Sequence, residues 1–141
     1  MYFDTSYIAK FYMNEPESAR VADLVRKAGV IHSSVWAITE FHSVLHRRLR
    51  EGLLTSTDAR DTAAEFAQDI ADGLWNLIPV SESLLRRTST LILAVPATSF
   101  IRTADAVHLA TASEIGERDI WTNDRHMLAA ASYFGLTSRV V

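Results

Sequence analysis

Four carboxylates stand where an α/β chain would place chemistry. Asp4 follows a short β-prone run in Phe3-Asp4-Thr5-Ser6, and Asp124 follows a later one in Trp121-Thr122-Asn123-Asp124. Asp105 opens the helical stretch from Arg102 to Ala110, and Glu40 lies within another helical stretch, in Trp36-Ala37-Ile38-Thr39-Glu40. In an open parallel sheet, ligands bind beyond the carboxyl ends of the strands, so residues that follow strands share one rim. Four carboxylates on such a rim repel one another, and a divalent cation offsets that repulsion. Oxygen ligands select a hard ion, Mg²⁺ or Mn²⁺. One or two such ions can activate a water, orient it in line with a phosphodiester and neutralise charge on the leaving oxygen.

Each aspartate also has an ordinary reading. An aspartate at the start of a helix accepts hydrogen bonds from free backbone N–H groups and suits the positive end of the helix dipole. Asp4, Asp105 and Asp124 all fit that description. Glu40 differs, because it is read as mid-helix at the border of the stripe Ile38, Phe41, Val44, Leu45 and Leu49, with no basic residue three or four places away. A carboxylate near a core without a local partner needs one from elsewhere in the chain.

Other constellations carry less. His42 and His46 have zinc-ligand spacing, but Ser43 replaces the glutamate that would serve as base in a zinc hydrolase. A phosphotransferase that starts from an aspartate after the first strand would want a second aspartate at the position held by Ser6. His108, three residues after Asp105, is read as a packing or hydrogen-bonding residue rather than as an acid or base. Arg47, Arg48 and Arg50 form the solvated end of an amphipathic helix or, read for function, a phosphate contact, since arginine matches phosphate bidentately. Trp36, Phe41, Trp75 and Trp121 read as core or interface.

The elements that must position these residues are punctuated by glycine. Gly29, Gly52, Gly73, Gly116 and Gly135 each follow a helical stretch and read as C-terminal caps. That use leaves no glycine cluster for a phosphate-cradling loop. Strands are predicted at Met1 to Phe3, Gly29 to His32, Leu74 to Val80 and Asp119 to Thr122, with Ser138 to Val141 a fifth. Helices are predicted over Glu17 to Ala28, Val35 to Glu51 after Ser34 as N-cap, and Asp58 to Asp72 after Thr55-Ser56-Thr57. Three more span Glu82 to Val95 after Ser81, Ala104 to Ile115 after Thr103, and Arg125 to Phe134. Alternation of strand and helix means a parallel sheet, here a three-layer α/β domain with helices on both faces.

The bulk composition narrows the classes further. The 141 residues, 48% hydrophobic, suit a single domain spanning 1–141 with a real core. No cysteine is present, so disulfides, thiolate zinc sites and cysteine nucleophiles are excluded. The longest apolar runs fall far short of a membrane span, and a cytoplasmic protein is expected. A net charge of −3 excludes a protein held to nucleic acid by bulk charge, so any such contact must be local.

Taken together, Tyr2-Phe3-Asp4-Thr5-Ser6, the Glu40 helix ending in Leu45-His46-Arg47-Arg48, the run from Arg102 to Ala112, and Thr122-Asn123-Asp124-Arg125-His126-Met127-Leu128 resemble the successive motifs of PIN domains, specifically VapC-type toxins. The resemblance covers nearly the whole chain. It implies a central parallel sheet of about five strands and an acidic site of Asp4, Glu40, Asp105 and Asp124 that binds Mg²⁺ or Mn²⁺. It also implies endoribonuclease activity on RNA, a homodimer, and inhibition by a small VapB-like antitoxin. Thr5, Ser6 and Asn123 match polar positions that hold water or substrate, with Arg47 and Arg48 as further substrate contacts. The alternatives are a PIN-like binding module without catalysis and a different metal-dependent phosphoesterase.

Overall fold

The computed structural model describes every residue from Met1 to Val141. Strands β1 (Tyr2–Phe3), β2 (Ile31–Ser34), β3 (Trp75–Ile78), β4 (Asp119–Trp121) and β5 (Thr137–Arg139) form one sheet of five strands in the order β3-β2-β1-β4-β5. Every pairing in it is parallel. Between the strands run α1 (Thr5–Tyr12), α2 (Ser18–Lys27), α3 (Ala37–Arg50), α4 (Ser56–Ala71), α5 (Glu82–Ala94), α6 (Thr103–Glu114) and α7 (Arg125–Ala130), with a 3-10 turn at Ala131–Phe134.

The strand order explains the three layers. The chain starts in the middle of the sheet, steps outward through β2 to β3, then returns to the other side of β1 for β4 and β5. Right-handed crossovers that travel in opposite directions must lie on opposite faces. The side chains obey this: Phe3, Ile31 and Trp75 pack with Tyr7, Val21, Phe41, Leu45 and Phe66 of α1–α4. Tyr2 and Ile120 pack instead with Leu84, Leu109, Met127 and Phe134 of α5–α7 and the 3-10 turn. Tyr2 and Phe3 are adjacent and face opposite cores, as the two-residue period of a strand requires. The expected three-layer α/β/α architecture is the one observed, and no helix is long and apolar enough to cross a membrane.

Helix α6 is the most enclosed element. All seven residues from Ala106 to Ala112 are buried, so the helix is enclosed on every side rather than along one stripe. Alanines at 106, 110 and 112 let its neighbours approach closely.

Several boundaries differ from the sequence reading. Helix α1 has no counterpart among the predicted helices, because Thr5, Tyr7, Ile8, Phe11 and Tyr12 in it are β-branched or aromatic, types of modest helix propensity. Strand β2 begins at Ile31 rather than Gly29 and ends in two fully buried serines. Ser33 Oγ donates to the Phe3 carbonyl at 2.8 Å, so a polar residue satisfied by the neighbouring strand extends β2. Ser34 is therefore strand rather than N-cap. Its Oγ still accepts from the Trp36 N–H at 3.1 Å, and α3 starts only at Ala37. Glu40 thus falls in the first turn of α3, not mid-helix. Gly52, Gly73, Gly116 and Gly135 have positive φ, whereas Gly29 does not, because α2 exits through an extended Ala28.

Candidate functional site

The chain reverses its direction of travel between β1 and β4, and at the carboxyl ends of these strands lies a cleft of about 500 Å³. Asp4, Glu40, Asp105 and Asp124 all line it. So do Thr5, Ser6, Arg47 and His108. Asn123 and Arg48 do not: Asn123 is exposed outside the cleft, and Arg48 is turned to an ion pair with Glu15.

Each carboxylate sits at the start of a helix. Asp4 caps α1, with Oδ1 accepting from the Tyr7 N–H at 3.0 Å and from Ser6 Oγ at 2.6 Å, while Oδ2 accepts from Thr122 Oγ1 at 2.5 Å. Asp124 caps α7, its Oδ1 accepting from the N–H groups of His126 and Met127 at 2.7 and 3.1 Å. Asp105 lies in the first turn of α6 and accepts only a long bond, 3.4 Å, from the Arg102 N–H. Glu40 lies in the first turn of α3, so the positive ends of four helices face the same acidic cleft.

Glu40 finds the distant partner that its sequence context demanded. Its Oε2 meets His108 Nε2 at 2.7 Å and accepts from the Thr5 hydroxyl. The His108 side chain is 3% exposed and that of Glu40 26%. On its other side His108 Nδ1 meets the Tyr2 phenol at 2.9 Å.

The electrostatics separate the four acids. Burial pushes the Asp4 carboxyl above its ordinary value despite hydrogen bonds from Ser6 and Thr122. Burial also raises Asp105, and the charge of Asp124 raises it further. For Glu40 burial acts in the same direction, but hydrogen bonds from His108 and Thr5 outweigh it and hold the carboxyl below its ordinary value.

As the side chains stand, no three histidine, aspartate or glutamate groups form a cluster that could hold a metal ion. Both oxygens of Asp4 are engaged by the protein itself. Glu40 Oε1, Asp105 Oδ1 and Asp124 Oδ2 accept no hydrogen bond from the protein. The donor set is therefore hard oxygen with free valences at three positions, and burial with like charge strains it toward neutralisation.

Sequence reasoning missed three charged cleft residues. Lys10, nearly buried and paired with Glu17 at 2.6 Å, lies one helical turn beyond Ser6 on α1. Arg102 lies one turn before Asp105, its guanidinium 5.9 Å from the Phe100 ring centroid. Glu15 follows α1 and bridges from the cleft to Arg48. The i, i+4 spacing of Ser6 and Lys10 was the available signal, and it became readable only once α1 was known to be a helix.

The fold is that of several solved proteins. The toxin VapC20 of Mycobacterium tuberculosis, described as cleaving the sarcin-ricin loop, superposes with a TM-score of 0.72 at 18% identity, covering 92% of this chain and 93% of that one. FitAcB from Neisseria gonorrhoeae gives 0.71 at 16% identity, covering 97% and 94%. FitAB bound to a DNA fragment gives 0.71 at 16% identity, covering 99% and 93%. A search of curated protein sequences finds no match. The family model for the PIN domain matches residues 1–132, and this chain belongs to the PIN domain family.

Proposed function

We propose that residues 1–141 form one nuclease domain, a metal-dependent endoribonuclease that acts as the toxin of a toxin–antitoxin pair in the cytoplasm. The observation that carries this reading is the convergence of Asp4, Glu40, Asp105 and Asp124 on one cleft, where burial and mutual charge raise Asp105. Such a cleft is improved by a divalent cation. Asp105, Asp124, Glu40 and Asp4 would hold Mg²⁺ or Mn²⁺, which supplies a water activated at neutral pH and neutralises charge on the leaving oxygen.

The protein's own residues supply the rest. Thr5 and Ser6 order two of the carboxylates through the hydrogen bonds described above. Arg47 and Arg102 line the cleft without an ion pair inside the protein, so their guanidinium groups are available for RNA phosphates on either side of the cut. Arg48 is engaged by Glu15, which favours Arg47 over Arg48 as the substrate contact. The likeness to VapC20, described as a toxin, supports a VapB-like antitoxin as partner, with an arginine entering the acidic cleft; the assembly proposed with it is a homodimer.

One observation favours a second reading, a binding module without catalysis: Asp4 and Asp124 are fully formed helix caps, as purely structural aspartates would be. Induced expression separates the two. Wild-type protein should arrest growth, Asp105→Asn at equal soluble level should not, and co-expression of the cognate antitoxin should relieve the arrest. Cells that tolerate soluble wild-type protein without a partner would defeat the toxin reading.

A further inference from the structure

Of Asp4, Glu40, Asp105 and Asp124, Glu40 alone accepts no hydrogen bond from a backbone N–H. Asp4 and Asp124 are fixed by bonds to their own helices. Glu40 is fixed instead by Thr5 and by His108, 68 residues away in sequence, and His108 in turn contacts Tyr2. The hydrogen positions follow from the partners. Ionised Glu40 only accepts, so His108 Nε2 must carry a proton to make the 2.7 Å contact. The Tyr2 hydroxyl is fully buried and His108 Nδ1 is its hydrogen-bond partner, at 2.9 Å. That contact orients the ring with Nε2 toward Glu40. The Tyr2 and His108 rings pack edge to face at 5.9 Å between centroids, which fixes the plane of the imidazole.

We propose that Tyr2 and His108 are positioning residues: Tyr2 holds the His108 ring with Nε2 toward Glu40, and His108, with Thr5, anchors Glu40 Oε2 and leaves Oε1 free. This rests on the reading that Glu40 belongs to the metal-holding set. Residues that orient a ligand from behind typically change metal affinity or activity by about 10–100-fold when removed.

The test combines imidazole ¹⁵N NMR of the metal-free protein with Mn²⁺ binding by calorimetry. Wild type should show the Nε2–H tautomer at His108. Tyr2→Phe keeps the ring, removes one oxygen, and should shift the His108 imidazole ¹⁵N signals and weaken Mn²⁺ binding, because the imidazole loses the contact that orients it. The amide of His108→Gln can stand where Nε2 stands and should bind Mn²⁺ nearly as wild type does. His108→Asn places its amide near Nδ1 and should lose about 10–100-fold in affinity. A wild-type Nδ1–H tautomer would overturn the proposal, as would equal Mn²⁺ affinity in His108→Asn and wild type, or a Gln variant no better than Asn. An Nε2–H at His108 with ¹⁵N signals that shift in Tyr2→Phe, in a protein that binds no Mn²⁺, would uphold the positioning and defeat the metal-site reading instead.

Discussion

Replacing Asp105 by Asn removes one negative charge from the cleft while keeping the side chain's shape and its weak 3.4 Å bond from the Arg102 N–H. Burial and the charges of Asp124 and Glu40 work against ionised Asp105. Like charges in a partly solvated cleft are worth on the order of 1 kcal/mol after screening. A domain of this length gains about 4 °C in Tm per kcal/mol, so metal-free Asp105→Asn should melt about 4 °C above metal-free wild type. Mn²⁺ at about 100 times its Kd stabilises wild type by about 2.7 kcal/mol, or about 11 °C. If loss of one charged ligand weakens binding about 30-fold, the same Mn²⁺ concentration gives the variant only about 0.9 kcal/mol, or about 3.5 °C. Melting curves of both proteins in EDTA and in Mn²⁺ read all of these shifts. An equal Mn²⁺ response in both proteins, or a metal-free variant that melts below wild type, would refute the picture of a charge-strained metal site.

Asp4 and Asp105 are held above ordinary carboxylate values chiefly by burial, so the folded metal-free protein binds protons there more tightly than the unfolded chain. Their contribution favours folding at low pH and is lost as pH rises through the raised values, so metal-free Tm should increase on modest acidification from neutrality. Mn²⁺ should reverse that slope, because protons compete with the ion; a metal-free Tm that falls throughout acidification would contradict the assignment. Arg47→Ala should raise KM for RNA with little change in kcat. Arg48→Ala should leave KM unchanged and lower Tm through loss of the Glu15 pair, and steady-state kinetics with melting curves would expose the opposite pattern. Gly135→Ala, at φ 74°, should destabilise by about 1 kcal/mol. Gly29→Ala, in open space without positive φ, should be neutral, and urea unfolding measures both.

The acidic positions were legible because topology dictates them: residues that follow β1 and β4 in a parallel sheet must meet at its carboxyl edge, and Asp4 and Asp124 do. Gly135 was legible as a cap because only a residue without a Cβ adopts its φ cheaply. Helix α1 was not, because β-branched and aromatic residues of modest helix propensity fill most of it, and with it went Lys10 as a cleft residue. Strand β2 was misplaced because Ser33 and Ser34 lack β propensity and are held there by a bond to Phe3 and by pairing with β3, contacts distant in sequence. The sequence showed that Glu40 needed a remote partner, yet no local spacing links it to His108 or Tyr2. Arg48 looked equivalent to Arg47, and the ion pair to Glu15 and a place outside the cleft distinguish it.

The central claim is that four carboxylates on one cleft make a metal-dependent ribonuclease, and cleavage of total RNA by purified protein tests it most directly. Wild type should cut RNA in Mn²⁺ or Mg²⁺, lose that activity in EDTA and regain it when the ion is restored, while folded Asp105→Asn should be inactive in every condition. Cleavage that persists in EDTA, or that Asp105→Asn retains in full, would contradict the account.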